Sequence, residues 1–207
     1  MGLGKLTDEQ IDILGEVANI SMGTSATALG KMINQKVNIT TPRVEVINRS
    51  ESLDDYSNIC IFVQIHYIKG LEGNNILILK DRDVKCMTDL MMGGDGSNVD
   101  GDITELQLSA ASEAMNQMMG SSATSLSSML GIPVDISTPE VKWIDVESVK
   151  IFERMFETNV EKFVKITFRM EIGNLVDSTM VQLYPENFAC DMCEKFKESK
   201  LQAKDSQ

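Results

Sequence analysis

Glu16 and Asn19 stand three residues apart, and Glu113 and Asn116 repeat that spacing 97 positions later. On a helix, side chains at i and i+3 are neighbours with Cβ atoms about 5–6 Å apart, close enough to engage one ligand group together. An amide is no general base near neutral pH, but it can both donate and accept hydrogen bonds, so it can hold a water in place. Positioning suffices where the bond to be broken is already labile, as in an acyl phosphate, and a side-chain amide can orient the attacking water in phosphoryl transfer. A carboxylate beside a phosphoryl group repels it, so the Glu of each pair is better suited to meet a lysine on a partner and to hold the Asn in place. One carboxylate and one amide make a thin metal site. The chain has one histidine, His66, remote in sequence from both pairs, so no Ser/His/Asp or Cys/His set is available.

The elements that carry these pairs read as two long helices. Ile11, Leu14, Ala18, Met22, Ser25, Leu29 and Met32 step by three or four and form a core stripe. Asp12, Glu16, Asn19 and Gly23 fall on a second stripe about 120° away, which faces solvent. The second helix repeats both: Leu108, Ala111, Met115, Met119, Ser122, Leu126 and Met129 for the core, and Ser109, Glu113, Asn116 and Gly120 outside. A solvated face ordinarily carries interchangeable Lys, Glu and Gln. Asn is a mediocre helix former with nothing to gain in mid-helix, so its recurrence asks for a task.

Residues 7–44 match 104–141 without a gap, and Thr7, Gln10, Gly23, Leu29, Pro42 and Val44 are among the identities that recur as Thr104, Gln107, Gly120, Leu126, Pro139 and Val141. A weaker match at offset 104 pairs Leu79 and Cys86 with Leu183 and Cys190, which places a seven-residue gain between Asp145 and Val160. Thr7-x-x-Gln10 and Thr104-x-x-Gln107 read as capping boxes opening the helices. Strands follow at 36–48, 59–69 and 74–80, and again at 133–146, 160–172 and 177–184, with shorter helices beginning near Asp81 and Pro185. Neither half is long enough to bury a comfortable core alone. The expected fold is α+β: one six-stranded sheet with pseudo-twofold symmetry, both long helices on one side, and two shorter helices. All of 1–207 forms one domain of two repeats, about 7–93 and 104–200, closed by a polar tail at 197–207.

A net charge of −12 repels polyanions and speaks against nucleic acid. Wholly apolar runs such as Ile76 to Leu79 are too short to span a membrane, and no basic-then-apolar signal opens the chain. Four cysteines fit reduced thiols in a cytoplasmic protein better than a disulfide scaffold. Cys190-x-x-Cys193 has no second such pair and reads as two ordinary helix cysteines; His66, in an alternating stretch, reads as a structural or surface histidine. Gly93-Gly-Asp-Gly-Ser97 is a turn between the halves and lacks the Gly-Lys-Ser/Thr ending of a phosphate loop.

Asp or Ser, three residues, Glu, two residues, Asn, then 22 residues and Pro is the signature of the CheC/CheX/FliY chemotaxis phosphatases, which this sequence resembles twice over. Asp12, Glu16, Asn19 and Pro42 match it once, and Ser109, Glu113, Asn116 and Pro139 match it again. Asn34 to Pro42, Leu90 to Gly96 and Glu113 to Thr124 look most like the CheC-like middle domain of the switch phosphatase FliY. The resemblance implies hydrolysis of the aspartyl phosphate of the response regulator CheY, resetting flagellar motor signalling. In it Asn19 and Asn116 orient water, Glu16 and Glu113 contact a lysine of phosphorylated CheY, and Asp12 and Ser109 support docking. It further implies that this chain binds no cofactor or metal, that Mg²⁺ comes with the regulator, and that the flagellar switch complex is a site of action. The competing class is a binding module without catalysis, either a partner of the receptor deamidase CheD or a scaffold among flagellar switch proteins.

Overall fold

The computed structural model describes residues 6–51, 60–144, 155–156 and 160–205. Four helices, α1 (Asp8–Ile33), α2 (Asp81–Met91), α3 (Glu105–Leu130) and α4 (Glu186–Asp205), lie with one antiparallel sheet. Its strands are β1 (Val37–Asn48), β2 (Cys60–Lys69), β3 (Gly73–Lys80), β4 (Asp135–Ile136), β5 (Glu140–Ile144), β6 (Lys162–Ile172) and β7 (Val176–Pro185).

Strand order is β1-β6-β7-β3-β2-β4, with β5 also paired to β2. Substituting each strand by its repeat counterpart (β1 for β4 and β5, β2 for β6, β3 for β7) turns this order into its own reverse. The central neighbours are the equivalent strands β3 and β7, joined from Ile76↔Leu183 to Ile78↔Val181. Among the described residues the first strand of each repeat does not pair with its own repeat. It crosses over: β1 runs along β6 from Val37↔Ile172 to Asn48↔Lys162, and β5 runs along β2 from Gln64↔Glu140 to Cys60↔Ile144.

One strand was expected over 133–146, but two are found. Pro139 has no amide hydrogen to give a ladder, and the stretch is broken at Ser137 to Pro139, where the Ser137 amide donates to the His66 carbonyl at 2.9 Å. The same repeat position disturbs β1, whose register on β6 shifts between Thr40 and Arg43, around Pro42. The expected gain between Asp145 and Val160 lies outside the described residues save for Met155 and Phe156.

All four helices contribute to the larger core on one face of the sheet, where Leu14, Met22, Leu29, Met115, Met118, Phe168 and Phe188 are buried together. A smaller cluster on the other face joins Phe62, Ile76, Ile78, Phe163 and Leu183 to Met155 and Phe156. Because both faces are covered, β2 is buried from Cys60 to Ile65 and again at Tyr67, with side chains of both faces in apolar cores. Phe163 and Phe168 are fully buried on opposite faces, and truncating either to Ala costs about 3–5 kcal/mol. Ile11, Met32, Leu108 and Met129, expected in the core stripe, sit half-buried at its rim, while Val17, Ser21, Ala114 and Met118 share the buried face.

The helix α4 continues through the polar stretch from Lys197 to Asp205. It is tied to the start of α1 by the Lys197–Glu9 ion pair at 2.7 Å, and Phe196 is buried under it. Towards the sheet edge, Asp81 at the start of α2 accepts from Trp143 Nε1 of β5 at 3.2 Å and pairs with the buried Lys85 at 2.6 Å.

Because each edge strand is paired only to the opposite repeat, residues 1–100 and 101–207 produced separately should lack a cooperative thermal transition by circular dichroism, and mixing them should restore one. A sharp transition in either half alone would contradict the exchange as a source of stability.

Candidate functional site

Helices α1 and α3 are built alike at both ends. Thr7 and Thr104 form complete capping boxes, with the Gln10 and Gln107 amides donating to the threonine hydroxyl at 3.2 Å and the glutamine side chains accepting from the threonine backbone. Each helix has 26 residues and ends in a left-handed residue at the same repeat position, Asn34 at φ 52° and Gly131 at φ 67°. The two cross where Ser25 Oγ donates to the Met118 carbonyl at 2.8 Å and Ser121 Oγ to the Thr24 carbonyl at 3.2 Å. Thr24 and Ser121 are themselves equivalent, so the crossing falls at the same point of each repeat.

That crossing turns one long stripe of each helix inward and leaves the other in solvent. Asp12, Glu16, Asn19, Ser109, Glu113 and Asn116 are all exposed. Among the described residues neither Asn19 nor Asn116 has a hydrogen-bond partner, so both amides are open to water or to a bound group.

In the first repeat Asp12, Glu16 and Asn19 share a shallow depression of about 550 Å³ with Thr40, Pro42 and Val44 of β1. All members of the Asp/Glu/Asn/Pro pattern are thereby brought to one place. Pro42 belongs there through the strand beneath the helix, at the register shift, and makes no contact with chemistry of its own.

In the second repeat Gln117 Nε2 donates to Glu113 Oε1 at 3.1 Å, one turn along the helix. Ile20 takes the position of Gln117 in the first repeat and is 43% exposed. Glu113 is therefore steadied by its own helix, while Glu16 stands free beside an apolar side chain. The difference could be read from the repeat as a mismatch, but helical periodicity alone assigns it no role.

Gly23 and Gly120 lie one turn beyond the Asn residues. Glycine in a helix interior costs about 1 kcal/mol relative to alanine. A Cβ at Gly30 would lie 2.8 Å from the Gln35 carbonyl oxygen, whereas at Gly23 or Gly120 it would meet nothing within 4 Å among the described residues.

The profile of the CheC-like family matches residues 9–46 and 106–142, the two helix-and-strand segments that carry the pairs. The crystal structure of Thermotoga maritima FliY superposes with a TM-score of 0.88 at 38% identity, over 94% of this chain and 99% of that one. This chain belongs to the CheC-like family. It is 44% identical to the flagellar motor switch phosphatase FliY of Bacillus subtilis (strain 168) over 90% of its own length, and it spans about half of that relative, 49%. It is 28% identical to the CheY-P phosphatase CheC of the same organism, over 73% of this chain and 74% of the relative. In this chain one copy of the exposed Glu/Asn pair stands on each of the two long helices.

Other chemistry-bearing residues are placed elsewhere. No three His, Cys, Asp or Glu side chains converge as a metal cluster among the described residues. His66 is on β2, away from both pairs. Cys190 and Cys193 lie on α4; Cys193 is buried with its Sγ 3.5 Å from the Gln10 carbonyl, and burial pushes its thiol up to about 12. At pH 8 that leaves on the order of 1 in 10,000 as the reactive thiolate. Cys193 should resist a chromogenic disulfide reagent in the native protein, and all four thiols should titrate in denaturant; rapid native labelling of Cys193 would reinstate a redox role.

Proposed function

We propose that this chain hydrolyses the aspartyl phosphate of the chemotaxis response regulator CheY at two Glu/Asn sites and so resets flagellar motor signalling. The observation that carries the proposal is the recurrence of the pair, exposed and unengaged at the amide, at equivalent points of two helices that are otherwise tied into the fold. The names of the FliY and CheC relatives, a switch phosphatase and a CheY-P phosphatase, supply the substrate class.

In the proposed mechanism, Asn19 or Asn116 hydrogen-bonds a water and turns its lone pair toward phosphorus in line with the departing aspartate oxygen. Nothing on this chain need remove the proton before attack, because an acyl phosphate already has a good leaving group and its transition state is loose. What the amide contributes is orientation, with the entropy of placing the water met by the folded helix. Glu16 and Glu113 meet a regulator lysine, which fixes where the phosphoryl group arrives. The Mg²⁺ that neutralises phosphoryl charge is carried by the regulator, and this chain supplies no cofactor. Asp12 and Ser109 lie a turn before the Glu, too far from the Asn to share its water, and tune docking.

On this proposal the two repeats act as one CheC-like domain in the cytoplasm, at the flagellar switch where it meets phosphorylated CheY. No helix among the described residues is long and apolar enough to cross a membrane.

Decay of phosphorylated CheY, followed with and without the chain, tests the reading. Asn19→Ala and Asn116→Ala should each remove roughly half of the acceleration, as expected of separate sites, and the double variant should fall to the regulator's own decay rate while still binding it. Glu16→Lys or Glu113→Lys should raise the Kd at that site by about tenfold or more, since an attraction becomes a repulsion. If the double Asn variant accelerates decay like the parent, water positioning is wrong; if the parent never accelerates decay but binds, the chain is a docking module.

A further inference from the structure

Gly23 and Gly120 are not explained by anything the chain does for itself. Mid-helix glycine weakens a helix by giving the unfolded chain more freedom to lose, and two such positions on equivalent helices compound the loss. Three internal reasons could justify it, and none of them holds. A left-handed backbone is not the reason, since neither residue has positive φ. Close helix packing is not the reason either. The α1–α3 crossing passes at Thr24, Ser25, Met118 and Ser121, immediately beside both glycines, yet an added Cβ would meet nothing within 4 Å among the described residues.

The third reason would be the hydroxyl bonds. Thr27 donates to the Gly23 carbonyl at 3.2 Å and Thr124 to the Gly120 carbonyl at 3.1 Å. But the same bond forms where the acceptor residue has a side chain, from Ser112 to Leu108, Ser127 to Ala123 and Ser128 to Thr124. Glycine is not needed for it.

What remains is the outside. Both glycines continue the row of Glu and Asn, one turn past the Asn; they are half-buried, and with nothing within 4 Å of an added Cβ among the described residues they leave open helix backbone where an ordinary residue would project a side chain. Resting on the proposed reading of the Glu/Asn pairs, we infer that Gly23 and Gly120 are docking residues: the missing side chain lets the backbone of the phosphorylated regulator come down onto the helix one turn from the amide. A phosphoryl group held at the regulator's surface can reach a water on Asn19 or Asn116 only if the loop bearing it approaches the helix closely. A methyl group one turn away lifts that loop. The carbonyls of Gly23 and Gly120, already bonded to Thr27 and Thr124, then need no partner on contact.

The Gly23→Ala/Gly120→Ala double variant tests this, with a regulator carrying beryllofluoride in place of its phosphoryl group as the binding probe. The expected result is a melting temperature raised by a few degrees, from the gain in helix propensity, together with a Kd for the probe raised about tenfold or more. In turnover KM should rise with little change in kcat, and leucine at the same positions should weaken binding further. Unchanged Kd and KM would overturn the inference, and so would a lowered melting temperature, which would make the glycines structural. The Asn19→Ala/Asn116→Ala variant separates this from the reading it rests on. Loss of turnover with Kd intact supports water positioning whatever the glycines do. Loss of probe binding by the glycine variant supports docking even if the Asn variant still turns over.

Discussion

The ladder between β1 and β6, with its counterpart between β2 and the β4–β5 stretch, joins the opening strand of each repeat to the middle strand of the other. Everything at the two sites hangs on that exchange. The helix α1 lies over β1, and among the described residues β1 has its ladder only from β6, so the floor beneath Asn19 is held by the second repeat. A sheet assembled this way closes long loops before its outer pairs form, and it gains stability only when both halves are in place. The exchange thus couples the two exposed Glu/Asn pairs to one folding event. The α1–α3 crossing, with its hydroxyl bonds from the buried Ser25 and the half-buried Ser121, locks the same two halves from the helical side.

Exchange also puts the motif-linked strands at the sheet edges, and the prolines follow from that. Pro42 and Pro139 would each remove a ladder bond from a central strand; at an edge the cost is a register shift in β1 and a break between β4 and β5. An irregular edge is poor template for a further strand, which protects an otherwise open edge from pairing with another chain. In the first repeat it has a second consequence. The strand under the Glu/Asn face is kinked at Pro42, and the shallow depression there opens between helix and strand.

Much of this was legible in the residues. The two capping boxes are short-range chemistry written directly into sequence, and the offset of 97 between Glu/Asn pairs shows on comparing the chain with itself. Pro139, inside the run 133–146, carried the signal for a broken strand. The order of strands did not show. A repeat says which strands are equivalent, not which are neighbours, and exchanged and unexchanged sheets bury the same apolar faces with the same alternation. The contrast between Ile20 and Gln117 was visible only as a mismatch, because its meaning depends on whether the neighbouring carboxylate is held. Likewise Gly23 and Gly120 stood on the exposed stripe in the sequence, but only the space around them separates a glycine demanded by packing, such as Gly30, from one that packing leaves free.

Along each exposed row the chemistry changes in one direction. Asp12 or Ser109 comes first, then the Glu, then the neutral Asn, then bare backbone at Gly23 or Gly120. For a chain of net charge −12, that gradient sets how an anionic group can be presented. A phosphoryl oxygen brought near the carboxylate end pays repulsion of about 4 kcal/mol per unit charge pair at 4 Å with an effective dielectric near 20. Near the amide it meets a dipole that can donate a hydrogen bond. The proposed docking therefore has a polarity: lysine toward the first turns, phosphoryl group toward the crossing. Since Thr24 and Ser121 meet at that crossing, both rows bring their uncharged ends toward the middle of the helical face and their acidic ends outward. Two regulators bound at once would lie in related but opposed orientations, one steadied by Glu113 and Gln117, the other against Glu16 and the apolar Ile20. A preset carboxylate loses less freedom on pairing, while a free one beside an apolar contact can adjust to its partner. On the proposed function, the same reaction is served at two sites whose docking differs and whose water-holding amide does not.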